Sequence, residues 1–269
     1  MGTHYQYGLS IEEVNKVKLP TSLVLPWGEV TVCADRAEYG LIRLDLEEGA
    51  AQPLHFCRTR WIVYLIEEGE VAVRHKDREG KSWSHALKRQ QVFHAPAGKV
   101  HGFCGLTKSV IYGFTTSKPV DEVYLVESPQ EGWENFRQLV VTKDWAEGTD
   151  RTSDFREKYW GTIESVVSQE VAGKRIFLRA REQSSLEIHC SKVETYYLHS
   201  GKIKVGLRVG RGENKSVALS AGEAFDVEPG LMHMRIGIED SVIVEVSTRD
   251  DDRDSHLVED GRTYQHIER

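Results

Sequence analysis

Apolar and polar residues alternate in short runs along most of this chain. Leu41-Ile42-Arg43-Leu44-Asp45-Leu46, Val71-Ala72-Val73-Arg74-His75, Lys202-Ile203-Lys204-Val205-Gly206-Leu207 and Val242-Ile243-Val244-Glu245-Val246 are the clearest. Successive side chains on a strand face opposite ways, so these runs predict strands with one buried face. Between them stand turn-forming stretches such as Asp77-Arg78-Glu79-Gly80 and Gly210-Arg211-Gly212-Glu213-Asn214. Regularly spaced short strands predict an all-β sandwich or barrel. Helical signals are few. Ser10-Ile11-Glu12-Glu13 has the form of a capping box, and Ser128-Pro129 offers an N-cap and a first-turn proline for a helix through Trp133, Phe136 and Leu139. That helix and the polar stretch from Glu147 to Glu157 predict a linker.

The two halves repeat each other. Pro26-Trp27-Gly28 opens one and Tyr159-Trp160-Gly161 the other. Glu68-Gly69-Glu70-Val71 matches Ser200-Gly201-Lys202-Ile203, and Pro96-Ala97-Gly98-Lys99-Val100-His101 matches Glu228-Pro229-Gly230-Leu231-Met232-His233. The glycine turns and the terminal histidines are displaced by one shared interval, which argues for duplication. The expected units are 1–145 and 146–269.

Composition narrows the function. The chain has 269 residues and a net charge of −7, with no basic stripe, so nucleic acid and anionic membranes are not expected partners. No apolar run is long enough to span a bilayer, and the N-terminus shows no signal peptide. Cys33, Cys57, Cys104 and Cys190 are scattered, with no Cys-x-x-Cys pair. Reduced thiols and a cytoplasmic location are the expectation.

The residues with the most chemical content are Glu187, His189, Glu194 and His233. Alternation puts Glu187 and His189 on one face of a strand, Glu194 with Tyr196 on the next, and His233 with Arg235 on a later one. In a closed barrel these faces converge. Two neutral imidazoles and two carboxylates suit Mn²⁺, Fe²⁺ or Zn²⁺ and leave positions open for water or substrate. Arg235, Arg179 and Lys192 are candidates for gripping an anion, and Tyr196 or Lys192 for moving a proton. Set on the same alignment, the first half has His55 at the place of Glu187, Cys57 at His189, Ile62 at Glu194 and His101 at His233. It reads as a degenerate site with a mainly structural role, although a Cys/His₂ set is also a zinc-binding type. Trp61, Tyr64 and Phe103 would make any pocket there aromatic. His75, His85, His94 and His199 lack partners at motif spacing and read as surface or packing residues.

These landmarks resemble the cupin superfamily. Its first motif is carried as Glu187-x-His189-x4-Glu194-x6-Gly201, and its second as Gly222-x5-Glu228-Pro229-Gly230-x2-His233. Ser185-Leu186-Glu187-Ile188-His189, Lys158-Tyr159-Trp160-Gly161 and Glu259-Asp260-Gly261-Arg262 are similar to segments of the cupin-type mannose-6-phosphate isomerases. The chain departs from these in having Glu187 for Gln or His, a proline one place late, and Arg235 one place beyond the usual basic residue. The resemblance implies two tandem jelly-roll barrels, a divalent metal held by Glu187, His189, Glu194 and His233, and a carbohydrate as small-molecule substrate. It further implies aldose–ketose isomerisation through an enediol-like state, with Arg235 holding the anionic end, and a homodimer. An Fe- or Mn-dependent dioxygenase and a non-catalytic sugar-binding bicupin are the alternatives.

Overall fold

The computed structural model describes residues 16–116, 123–128, 130–132, 149–151 and 154–266, together with Ser10, Val14 and Glu134. The alternating runs become the strands Tyr39–Leu46, Glu70–Lys76, Lys202–Val209 and Ser241–Thr248. The stretches 77–80 and 210–214 lie at the turns between paired strands. The burial differs from the simple alternation. Arg74, which the pattern assigns to the open face of Glu70–Lys76, is buried because Glu127 takes its guanidinium in a fork of 2.7 and 2.8 Å bonds.

Chain contacts divide the protein into two units, Thr21–Ser153, and Asp154–Arg269 with Met1–Pro20. The expected boundary at 145/146 moves because Thr149–Arg151 pairs with Gln91–Ala95 of the first unit. Val17–Lys18 falls with the second unit, where it pairs with Ala224–Val227. Edge strands belong where their backbone hydrogen bonds are met.

Each unit is a seven-stranded sheet and a five-stranded sheet, all pairings antiparallel. In the second unit the larger sheet runs Val17–Lys18, Ala224–Val227, Glu194–Ser200, Ser241–Thr248, Val171–Leu178, Gly161–Ser168, Phe155–Lys158. The smaller runs Lys215–Ser220, Lys202–Val209, Leu231–Gly237, Leu186–His189, Ser255–Glu259. The first unit repeats both orders strand for strand. Side chains from the two sheets share one core, with Trp160, Ile176, Leu198, Val205, Phe225 and Leu231 in the second unit and Trp27, Leu44, Val73, Phe93 and Phe103 in the first.

The glycine landmarks have a steric reason. Gly69 and Gly201 both have positive φ, +76° and +85°. A Cβ at Gly69 would collide with Lys108 O and Ser109 Oγ, and one at Gly201 with Asp240 O and Ser241 Oγ. Gly201→Ala is therefore expected to destabilise the second unit by about 1–3 kcal/mol, read as an earlier urea midpoint with unchanged slope.

The helix expected after Ser128 begins as a reciprocal capping box. Ser128 Oγ accepts from Glu131 N at 3.2 Å, and Glu131 Oε2 accepts from Ser128 N at 2.7 Å. Trp133, Phe136 and Leu139, and Ile11, Glu12 and Glu13 of the N-terminal box, lie outside the described residues. No helix of the described residues is long and apolar enough to cross a membrane.

Candidate metal centre

Antiparallel register gathers the four candidate ligands. Glu187 on Leu186–His189 stands directly opposite His233 on Leu231–Gly237. Glu194 opens a strand of the larger sheet. Ligand atoms of Glu187, His189 and His233 lie within 4.8 Å of one another. Glu194 reaches both rings, with Oε1 3.0 Å from His233 Nε2 and Oε2 3.9 Å from His189 Nε2.

Both rings are oriented by main chain. His189 Nδ1 donates to Asp254 O at 3.1 Å, and His233 Nδ1 donates to Leu231 O at 3.0 Å. Each proton is thereby held on Nδ1, and each Nε2 is turned to the carboxylates as a lone pair. His233 is fully buried, and its Nε2 has no hydrogen-bond partner, because a ring lone pair and the Glu194 Oε1 3.0 Å away are both acceptors. An orphaned buried nitrogen beside two acids is what a divalent cation would satisfy, and main-chain carbonyls behind metal-ligating histidines are the usual support. The donor set fits Mn²⁺, Fe²⁺ or Zn²⁺.

The expected catalytic residues all reach the site, but none is free. Arg235 was expected to hold an anionic substrate. Its two terminal nitrogens are instead bonded to Glu187 at 2.9 Å and Glu245 at 3.2 Å, and the guanidinium lies over Tyr196 and Trp160. Lys192 was expected as clamp or base. Its ammonium is buried among Glu194 at 2.6 Å, Glu245 at 3.1 Å and Asp250 at 3.2 Å. Tyr196 is fully buried and donates its hydroxyl to Glu194 Oε1 at 2.6 Å. Arg179 bonds the Tyr159 carbonyl and lies outside the cavity lining. For Arg235, Lys192 and Tyr196 the physical reason is common: four carboxylates brought together demand compensating donors before any substrate arrives.

The charge states follow. Burial pushes the Glu194 carboxyl up, but Lys192 and then His233 outweigh it and hold it well below the ordinary value. Glu187 is likewise lowered, burial being overcome by Arg235. Burial lowers His189. For His233 burial lowers the pKa, and the Glu194 carboxylate, through direct contact and then charge, reverses this to a net rise. Lys192 is raised well above its ordinary value, because Glu194, Glu245 and Asp250 overcome its burial.

Above the cluster opens a cavity of about 600 Å³, lined by Lys158, Tyr159, Trp160, Ser185, Arg262 and the site residues. Glu187 is the candidate ligand that meets it most openly, with a side chain 24% exposed against 1% for Glu194. Sequence reasoning missed Lys174, Asp250 and Asp254. Lys174 stands opposite Glu245, which stands opposite Tyr196, so one row crosses three strands. A lone lysine or glutamate inside an apolar strand was the available signal. A charge run such as Asp250-Asp251-Asp252-Arg253-Asp254 is ordinarily a solvated segment, yet here Asp250 binds Lys174 at 2.9 Å and Asp254 accepts from the amides of a turn.

Comparison with known proteins sets the fold in context. No family profile matches the sequence, and no curated protein does. Solved structures match over most of their length. Oxalate decarboxylase from Bacillus subtilis at pH 4.6 is 16% identical with a TM-score of 0.67, covering 88% of this chain and 76% of that one. An oxalate decarboxylase structure described for its substrate binding mode and reaction specificity switch gives 15% and 0.68, covering 91% and 79%. The Bacillus subtilis enzyme studied for its Mn(II) centres gives the same values.

The fold is that of a bicupin. The likeness does not extend to the mannose-6-phosphate isomerase resemblance. Within the bicupin frame the two sites differ. In the first unit His101 stands opposite His55, as His233 does opposite Glu187. With Ile62 in place of a carboxylate, the Tyr64 hydroxyl pairs with His101 Nε2 at 3.2 Å. His55, Cys57 and His101 form no group of converging ligand atoms among the described residues. Burial lowers the pKa of both rings, which pack at 4.6 Å. His75 and His85, which read as surface or packing residues, do pack: both are buried, stack at 4.9 Å and share a 3.0 Å hydrogen bond.

Proposed function

We propose that the second unit of this bicupin is a divalent-metal enzyme site acting on a small, oxygen-rich molecule, a sugar or sugar phosphate undergoing aldose–ketose isomerisation being its most concrete form. The observation that carries the metal reading is the pair of imidazoles anchored at Nδ1, with bare Nε2 atoms facing Glu187 and Glu194 below an open cavity. His189, Glu194 and His233 would hold the ion, with Glu187 as fourth group. When bound, the ion supplies a Lewis acid for adjacent carbonyl and hydroxyl oxygens. The chain's own residues do the holding. Tyr196 and Lys192 fix the Glu194 carboxylate, and Arg235 fixes Glu187. With Arg235 engaged, Lys158 and Arg262 at the cavity are candidates to meet an anionic substrate.

A second reading, chemistry on a small carboxylic acid with or without oxygen, is favoured by the structural likeness to oxalate decarboxylases. Elemental analysis of the purified protein, then a panel of aldose phosphates followed by NMR, tests the first reading. Carbon dioxide release from oxalate or oxygen uptake, with no isomerisation, would establish the second. A chain without metal, whose ligand binding ignores chelator, would make it a binding module. The same reading carries a cytoplasmic homodimer as its setting.

One metal ion per chain is expected. His101→Gln should leave metal content unchanged, because its site lacks converging ligands; metal loss in that variant would place the ion in the first unit.

A further inference from the structure

Asp254 ends a 3₁₀ turn, Asp252–Asp254, and leads directly into Ser255–Glu259, the strand that pairs with Leu186–His189. Both its carboxylate oxygens are used on one short stretch of main chain. Oδ1 accepts from Cys190 N at 2.9 Å and Ser191 N at 3.2 Å, and Oδ2 accepts from Ser191 N at 3.1 Å and Lys192 N at 2.9 Å. Those amides form the turn between His189 and Glu194. The Asp254 carbonyl accepts from His189 Nδ1. Its neighbour Ser255 donates from Oγ to Glu187 Oε2 at 3.1 Å. Two adjacent residues therefore touch Glu187, His189 and the turn that delivers Lys192 and Glu194.

We infer that Asp254 is a positioning residue for the metal centre, aiming His189 through its carbonyl and locking the 190–192 turn through its side chain. This rests on the metal reading proposed above. Without the carboxylate, three adjacent amides lose their acceptor, and the carbonyl behind His189 loses the anchor that sets its direction. Ser255 does for Glu187 what the Asp254 carbonyl does for His189. The ligand atoms of Cys190 and His256 also lie close to Asp254, whose two oxygens are engaged by the three amides.

The test uses the full chain with Asp254→Ala, Asp254→Asn and, as control on the same turn, the exposed Arg253→Ala. Co²⁺ is the probe, read by affinity and by its visible absorption. Long-range ¹H–¹⁵N NMR of the metal-free protein reads the His189 tautomer. Asp254→Ala is expected to weaken Co²⁺ about 10–100-fold, with a changed visible spectrum. The His189 ring should also lose its single Nδ1–H tautomer. Asp254→Asn, which keeps one acceptor oxygen, should fall between, and Arg253→Ala should match wild type. Wild-type Co²⁺ affinity together with an intact Nδ1–H tautomer in Asp254→Ala overturns the inference. Should wild type itself bind no Co²⁺, the metal reading fails, and the tautomer alone decides positioning. Should Asp254→Ala not fold, Asp254→Asn decides by the same two readouts.

Discussion

His233→Ala is expected to be purified without stoichiometric divalent metal, and its affinity for added Mn²⁺ should fall by more than the roughly 100-fold that loss of an outer partner brings. The ring contributes the most buried Nε2 of the set, and nothing in the cluster can replace it. Glu194 needs a different substitution. Glu194→Ala would leave the buried Lys192 ammonium without its 2.6 Å partner, so folding and metal loss would be confounded. Glu194→Gln keeps the shape and an oxygen beside Lys192 and removes the charge, while the ammonium retains Glu245 and Asp250. This variant is expected to fold and to bind no Mn²⁺. Plasma mass spectrometry and calorimetric titration check both variants, and a full complement of tightly held metal in His233→Ala would refute the site.

Wild-type uptake should also depend on pH. His233 has a raised pKa, so the proton competes with the metal below that value and is displaced as pH rises through it. Mn²⁺ affinity is expected to increase with pH across this range, with proton release on binding. A pH-independent affinity would mean that His233 is not a ligand.

Lys192→Met should produce the largest loss of stability, about 3–5 kcal/mol, because it removes one partner from a buried charge network. Glu245 and Asp250 would then keep Lys174 and Arg235, while Glu194 would keep His233 and the Tyr196 hydroxyl in place of a lysine. The sign with pH is definite. Glu194 is held below its unfolded pKa in the wild type, so its contribution is present above that unfolded value and disappears as pH falls through the folded one. In the variant the largest lowering influence is gone. Its deficit should therefore be greatest near neutral pH and shrink as the carboxyls protonate. Mn²⁺ should restore part of the stability by supplying the missing positive charge. Urea unfolding at two pH values, with and without Mn²⁺, measures all three effects; a deficit that does not change with pH would show that methionine packing, not charge, is responsible.

The metal cluster and the charge network differ in how far they could be read from the chain. Glu187, His189, Glu194 and His233 fall on strands whose alternation dictates a common side, and the duplicated glycine turns mark the strand ends. Local periodicity and steric need at Gly69 and Gly201 were enough to read the all-β repeat and the four residues that converge. Both are short-range properties of the backbone, so spacing carries them.

What only the tertiary structure decided is which donors those carboxylates meet. Lys174, Lys192, Arg235, Glu245 and Asp250 come from separate segments, and cross-strand register brings Lys174 opposite Glu245 and Glu245 opposite Tyr196. The same holds for Asp254 behind His189 and for His75 stacked on His85. Charge pairing acts through space between side chains far apart in the chain. No run of residues records it, and it is this pairing that engages Arg235 and Lys192 with carboxylates of the protein itself.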